Sequence, residues 1–137
     1  MLAFEVRTTK HTEFVDITGQ VQSLVKKSAI QNGITACFVP HTTAAITINE
    51  NADPDVVHDM IGALDAIAPW EKAEYRHSEG NSAAHVKTAL LGTSVQVFVN
   101  QGKLWLGRWQ GIFLCEFDGP RTRTVWVEIV ASSEQVA

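Results

Sequence analysis

The densest chemistry in the chain lies in His77-Ser78-Glu79-Gly80-Asn81-Ser82-Ala83-Ala84-His85-Val86-Lys87, where two imidazoles, a carboxylate, an amide and a lysine share eleven positions. The Glu79-Gly80-Asn81-Ser82 turn runs into a helical pattern. A helix starting there leaves its first backbone N–H groups without intrahelical partners, which makes a pocket for an anion. The other use of the same residues is an N-cap, with the Asn81 or Ser82 side chain satisfying those donors internally. A cap leaves His77 and His85, on either side of it, unexplained. Their separation of eight residues is not the i, i+4 spacing that puts two ligands on one helix face.

Further polar groups interrupt the apolar chain elsewhere. His41 lies in Pro40-His41-Thr42-Thr43, where a strand pattern breaks and a bend can aim a side chain out of the sheet. A structural hydrogen bond is the plainer role for such a histidine. Together His41, His77 and His85 offer the donor set of a catalytic zinc with an open fourth position. They serve equally as proton-transfer groups or anion-binding donors, and spacing does not choose among these roles. Asp53, just before Pro54, fits a helix N-cap, and with Glu50 and Asn51 it offers oxygen ligands to a hard cation such as Mg²⁺. Arg121 and Arg123 stand two apart on an extended segment after Asp118. That places both guanidinium groups on one side, suited to phosphate, although solvated strand-end charges explain them as well. Lys87 reads as a surface residue.

These groups need a scaffold, and the pattern supplies an α+β one. Leu2 to Thr9 alternates as a half-buried strand and Glu13 to Ile17 follows as a second. A helix capped by Asp16 or Thr18 carries Val21, Leu24, Val25, Ser28 and Ala29 at helical spacing, with Asn32-Gly33 as its stop. Ile34 to Val39 and Ala44 to Ile48 are strands on either side of Pro40, which cannot donate to a ladder. The helix after Pro54 shows a buried stripe of Val57, Met60, Ile61, Leu64 and Ile67, and Pro69 ends it. A third helix spans Ser82 to Leu91 and stops at Gly92. Ser94 to Val99, Leu104 to Gln110, Ile112 to Phe117 and Thr124 to Ala131 read as antiparallel strands with short turns, and Ser132 to Ala137 as a frayed tail. Several strands are apolar on both faces and need cover from a helix, a second sheet or another subunit.

The 137 residues fit a single domain, 1–137, with 45% apolar residues to form its core. A net charge of −4 without clustered Lys and Arg excludes a nucleic-acid surface, while a small anion needs only a local cluster. No signal-peptide pattern or long apolar run is present, so the expectation is a soluble, cytoplasmic protein without a membrane partner. Cys37 and Cys115 sit singly in apolar strands, as buried thiols do in a reducing compartment.

Five segments carry a family resemblance: Pro40 to Ala45, Asn49 to Val56, His77 to Lys87, Gly102 to Gln110 and Asp118 to Arg123. In this order they resemble the YjbQ-like family, also called secondary thiamine-phosphate synthases, over nearly the whole chain. Arg108 stands where that pattern carries a small residue. The resemblance implies an α+β sandwich of mixed or antiparallel sheet with about three short helices, assembled as a homotrimer. It also implies a weak thiamine-phosphate synthase activity, joining a pyrimidine methyl diphosphate to a thiazole phosphate and releasing diphosphate. The main synthases of that reaction are (β/α)₈ barrels of roughly 250 residues, so shared chemistry would be convergent. By motif position the resemblance implies His41, His77, His85 and Asp53 as catalytic residues.

The leading expectation is therefore a trimeric enzyme acting on a phosphorylated metabolite. Thr42, Gly80, Asn81, Ser82, Arg121 and Arg123 would bind substrate. A divalent metal would be either zinc on His41, His77 and His85 or magnesium on Glu50 and Asp53. The alternatives are a zinc hydrolase built on the three histidines and a non-enzymatic module that binds a phosphorylated metabolite.

Overall fold

A computed structural model describes residues 1–133. The elements run β1 (Leu2–Arg7), β2 (Glu13–Asp16), α1 (Thr18–Ser28), β3 (Asn32–Phe38), β4 (Ala44–Glu50), α2 (Pro54–Ile67), α3 (Ser82–Leu91), β5 (Ser94–Asn100), β6 (Lys103–Leu104), β7 (Gln110–Glu116) and β8 (Thr122–Ala131). Every pairing is antiparallel, in a five-stranded sheet ordered β1-β8-β3-β5-β6 and a three-stranded sheet ordered β2-β7-β4. With three helices among the described residues this is the α+β architecture expected from the pattern.

The layers follow from which strand faces are apolar. Val6, Cys37, Val97, Val125 and Val127 of the large sheet meet Ala44, Ile46, Ile112 and Leu114 of the small one, and Val21 of α1 joins them. The opposite face of the small sheet, with Ala45, Phe113, Cys115 and Phe117, packs under Ala84 of α3 and the half-buried Val57 and Leu64 of α2. β7 is central in its sheet and covered on both faces, which accounts for its unbroken buried run from Gly111 to Phe117. Both cysteines are free and buried. Burial pushes the Cys37 thiol up to about 11 and the Cys115 thiol higher still, so neither is a reactive thiolate.

Among the described residues nothing gives the outer face of the large sheet such cover. Ile34, Phe38, Phe98, Trp126 and Val130 are exposed there. The register sets Ile34 opposite both Phe98 and Val130, and Phe38 opposite Trp126, whose ring stacks on it at 5.7 Å. Trp105 is also exposed, and its backbone N–H donates to the Phe98 carbonyl at 2.7 Å.

Four details depart from the sequence reading. α1 ends at Ala29 in the left-handed conformation (φ 59°), and Asn32-Gly33 open β3 instead of stopping the helix. Gly33 is required for another reason: a Cβ there would lie 2.0 Å from the Val130 carbonyl oxygen across the ladder. Leu104 to Gln110 is not one strand. Only Lys103–Leu104 pairs with β5, and the chain then turns, with the Gly107 N–H donating to Oε1 of Gln110 at 2.8 Å. The α2 stripe is not fully buried, because one small sheet lies under it, and Ile67 is exposed. Ser132 continues the β3–β8 ladder by donating its N–H to Asn32 O at 2.9 Å, and residues 134–137 of the expected tail lie outside the described residues. Among the described residues no helix is long and apolar enough to cross a membrane.

Candidate functional site

Asn81 occupies the N-cap of α3, yet its side chain makes no cap hydrogen bond. Nδ2 instead donates to Asp118 Oδ2 at 2.8 Å, and Oδ1 is buried without a partner among the described residues. The internal cap that would have closed the anion pocket is therefore not supplied by Asn81. Asp118 also holds Arg121, whose Nε donates to the Asp118 carbonyl at 2.8 Å and whose Nη2 lies 3.2 Å from Oδ2. The relay Asn81–Asp118–Arg121 thus carries a half-exposed guanidinium to within one side chain of the α3 start. Asp118 is the member that sequence reasoning did not assign to the site. Its carboxylate in a tight turn between two strands was the available signal.

The turn before α3 also brings the two flanking histidines together. Gly80 takes φ +72°, which an L side chain rarely adopts, and its N–H donates to the His77 carbonyl at 3.1 Å. The chain folds back so that the His77 and His85 rings meet edge to face at 5.3 Å. His77 Nε2 lies 3.9 Å from Glu79 Oε2. His77, Ser82, His85 and Val86 line an open cleft of about 390 Å³. Separation in sequence concealed this pairing, which the turn creates.

His41 belongs to a different group. β3 pairs β8 only as far as Phe38↔Trp126, and the chain then leaves the sheet at Pro40. The Thr124 N–H, one ladder step further, donates to His41 Nε2 at 2.9 Å. The imidazole thus takes over a position that the strand vacates, and as an acceptor at Nε2 it carries its proton on Nδ1. Burial, together with the charges of Arg123 and Arg121, holds it below the usual histidine range against an opposing pull from Glu116. Thr42 beside it is exposed.

Arg123 does not share a surface with Arg121. It is buried, donating through Nε to Glu116 Oε1 at 2.8 Å, through Nη2 to Glu116 Oε2, and to the Thr43 hydroxyl at 2.8 Å and carbonyl at 3.1 Å. Glu116 accepts further from the Thr8 hydroxyl (2.8 Å) and the Asp118 N–H (3.0 Å). Its burial pushes the carboxyl up, but these donors outweigh that and hold it below the ordinary carboxylate range. Spacing of two does place side chains on one side of a strand, but for Arg123 that side is the interior and Arg121 precedes the strand. The phosphate-facing pair is reduced to Arg121.

Asp53 caps α2, accepting the Asp55 N–H at 2.9 Å, and Glu50 accepts the Asp53 N–H at 3.2 Å. With Asp16, Asn51 and Phe14 among others they line a separate cleft of about 270 Å³. Asp16 is held below its ordinary value, since bonds from Thr18 and Asn51 outweigh the upward push of burial. Among the described residues no three His, Cys, Asp or Glu groups converge to hold a metal. His77 and His85 supply two nitrogens, while His41 is engaged at Thr124, so the three-histidine zinc set does not assemble within one chain. Lys87, read as a surface residue, is buried and ion-paired with Asp65.

An antiparallel α+β sandwich with a histidine-lined cleft at the start of its last helix defines the class. Residues 3–132 match the family described as UPF0047 protein YjbQ-like, and the chain belongs to that family. It is 50% identical over 126 residues to the UPF0047 protein YugU of Bacillus subtilis, covering 92% of this chain and 96% of the relative. A UPF0047 protein of Methanocaldococcus jannaschii is 47% identical over 130 residues, covering 95% and 94%. A crystal structure of an uncharacterized YjbQ/UPF0047 protein from Clostridium acetobutylicum superposes with a TM-score of 0.92 at 48% identity, covering 95% of this chain and all of that one. A conserved hypothetical protein from Thermus thermophilus gives 0.89 at 43% identity over 95% of this chain and all of that one.

Proposed function

We propose that the chain is a small transferase acting on phosphorylated metabolites at the start of α3, of the thiamine-phosphate synthase type that the family resemblance implies. The observation that supports this reading is the N-cap without a side-chain cap bond, flanked by facing imidazoles and by Arg121. In the condensation, the bond from the pyrimidine methylene to diphosphate breaks and a bond from that carbon to the thiazole nitrogen forms. The developing negative charge falls on the departing diphosphate. Backbone N–H groups at a helix start and a guanidinium favour that charge, and a protonated imidazole at His85 or His77 can donate to the leaving oxygen. This reading gives no metal role to Glu50 or Asp53, whose carboxylates accept helix-start N–H groups.

The test is a steady-state assay with a pyrimidine methyl diphosphate and a thiazole phosphate, following diphosphate release. Wild-type protein turns over. Arg121→Ala raises KM for the diphosphate substrate about 10-fold or more, the loss of one charge-assisted hydrogen bond. No product from wild-type protein, or an unaltered KM in the variant, rejects the proposal.

The reading includes self-assembly, with copies of the chain covering the outer face of the large sheet as a homotrimer. It is supported by the contiguous exposed row of Ile34, Phe38, Phe98, Trp126 and Val130, since patches of this kind mark interaction surfaces. Sedimentation velocity is expected to give three times the chain mass for wild-type protein and the monomer for Trp126→Glu. A monomeric wild type would exclude it.

A further inference from the structure

A third cleft, of about 480 Å³, opens on the helical side of the molecule and has none of the α3-start residues in its wall. His11, Thr12, Asp65, Pro69, Trp70 and Lys87 line it. The unusual member is Lys87. Its side chain is 4% exposed, although a buried ammonium costs several kcal/mol unless it is well partnered. Its ion-pair partner Asp65 lies at the end of α2 and is itself 58% exposed. On the inner side Nζ sits 5.9 Å from the Phe117 ring centroid, which attracts charge but accepts no conventional hydrogen bond. An ammonium carries three donors. Among the described residues the Asp65 carboxylate is the one hydrogen-bond acceptor that Nζ reaches.

A lysine placed only to pin α2 would be expected to meet a buried acceptor. Here the counter-ion stands largely in water, so an incoming anion can take its place without leaving the buried ammonium uncompensated, and the released carboxylate is solvated. The rest of the wall suits a ring. Trp70 is partly exposed and meets the His11 ring edge to face at 4.4 Å, and His11 Nδ1 is 2.9 Å from the Thr12 hydroxyl. This gives an aromatic corner with polar edges beside a buried cation.

We infer that this cleft is a binding site for a small planar ring carrying one anionic group, with that group on Lys87 in place of the Asp65 carboxylate and the ring against Trp70. The site is separate from the α3 start and does not depend on the synthase reading.

Isothermal calorimetry with phenyl phosphate, benzoate and inorganic phosphate tests it. At least one of the two ring-bearing probes binds wild-type protein. That binding weakens 10-fold or more in Lys87→Met and several-fold in Trp70→Leu. Asp65→Asn removes the internal competitor but keeps the cation, so it tightens binding several-fold, which a purely structural ion pair would not do. Melting temperatures of the variants verify that each is folded. The inference is overturned if neither ring-bearing probe binds wild-type or Asp65→Asn protein. It is equally overturned if Lys87→Met binds the ring-bearing probe as wild type does, or if inorganic phosphate binds through Lys87 as tightly as that probe.

Discussion

Arg123→Met protein is expected to lose about 3–5 kcal/mol of folding stability at neutral pH, the usual result of removing one partner from a buried ion pair. Glu116 has no exposed surface, and Arg123 is its only charged partner among the described residues. After the substitution, the Thr8 hydroxyl and the Asp118 N–H must carry that carboxylate alone, and the Thr43 carbonyl and hydroxyl lose the donor that Nη2 gave them. Urea unfolding measures the loss. The double substitution Glu116→Leu with Arg123→Met is expected to recover most of it, because it leaves no buried charge. A loss under about 1 kcal/mol in the single variant would show that the pair contributes no more than a surface one does.

The same network sets the response to acid. Glu116 in the folded protein is held below the ordinary carboxylate range, so its contribution is present at neutral pH and is lost as pH falls through and below that range. His41 is held below the ordinary imidazole range. The unfolded chain therefore takes up that proton first, and stability begins to fall as pH drops below the usual histidine value. Both groups act in the same direction, in two stages. In Arg123→Met the carboxylate stage shrinks, because burial still pushes Glu116 up while the Arg123 donors that held it down are gone. The destabilisation of the variant relative to wild type should accordingly be smaller at acidic pH than at neutral pH.

His85→Ala is expected to lower the turnover of the proposed reaction by about 10²–10⁴-fold, the range for loss of a general acid or base. His85 is half-buried, and among the described residues its ring contact is the one with His77, so the melting temperature should stay near that of wild type. Its ring lies 5.3 Å from that of His77, so His77 can retain part of the proton transfer. His77→Ala with His85→Ala should then fall further than either single change. Steady-state kinetics on the three proteins decide this. Equal kcat in wild-type and His85→Ala protein would remove the imidazole from the chemistry and leave the cleft a binding site alone.

Much of the architecture was written in local pattern. The alternation of Leu2 to Arg7, the Asp53-Pro54 start of α2, the continuous apolar run of β7 and the stop at Gly92 each follow from the backbone or side-chain chemistry of a few neighbouring residues. The same holds for the family, because its motifs are short, ordered and contiguous. Lys87 was legible in principle and was missed. It shares a helix face with Ala83, Ala84 and Thr88, all buried, and helical spacing puts a residue three or four positions on from a buried one in the same place.

Other features were decided only by the tertiary structure. That Arg123 points inward while Arg121 stays at the surface depends on Glu116 arriving from β7 on the interior side of β8. That His41 is a ladder substitute for β3 depends on where β3 and β8 part. The stretch from His77 to Lys87 was marked as chemical by its composition alone. Its geometry comes from the left-handed Gly80, which folds His77 onto His85, and from Asp118, thirty-seven residues beyond Asn81, which draws the Asn81 side chain off the helix start. Local sequence determines which backbone shapes a segment can take, but which buried charge meets which partner is a property of strands brought together from distant parts of the chain.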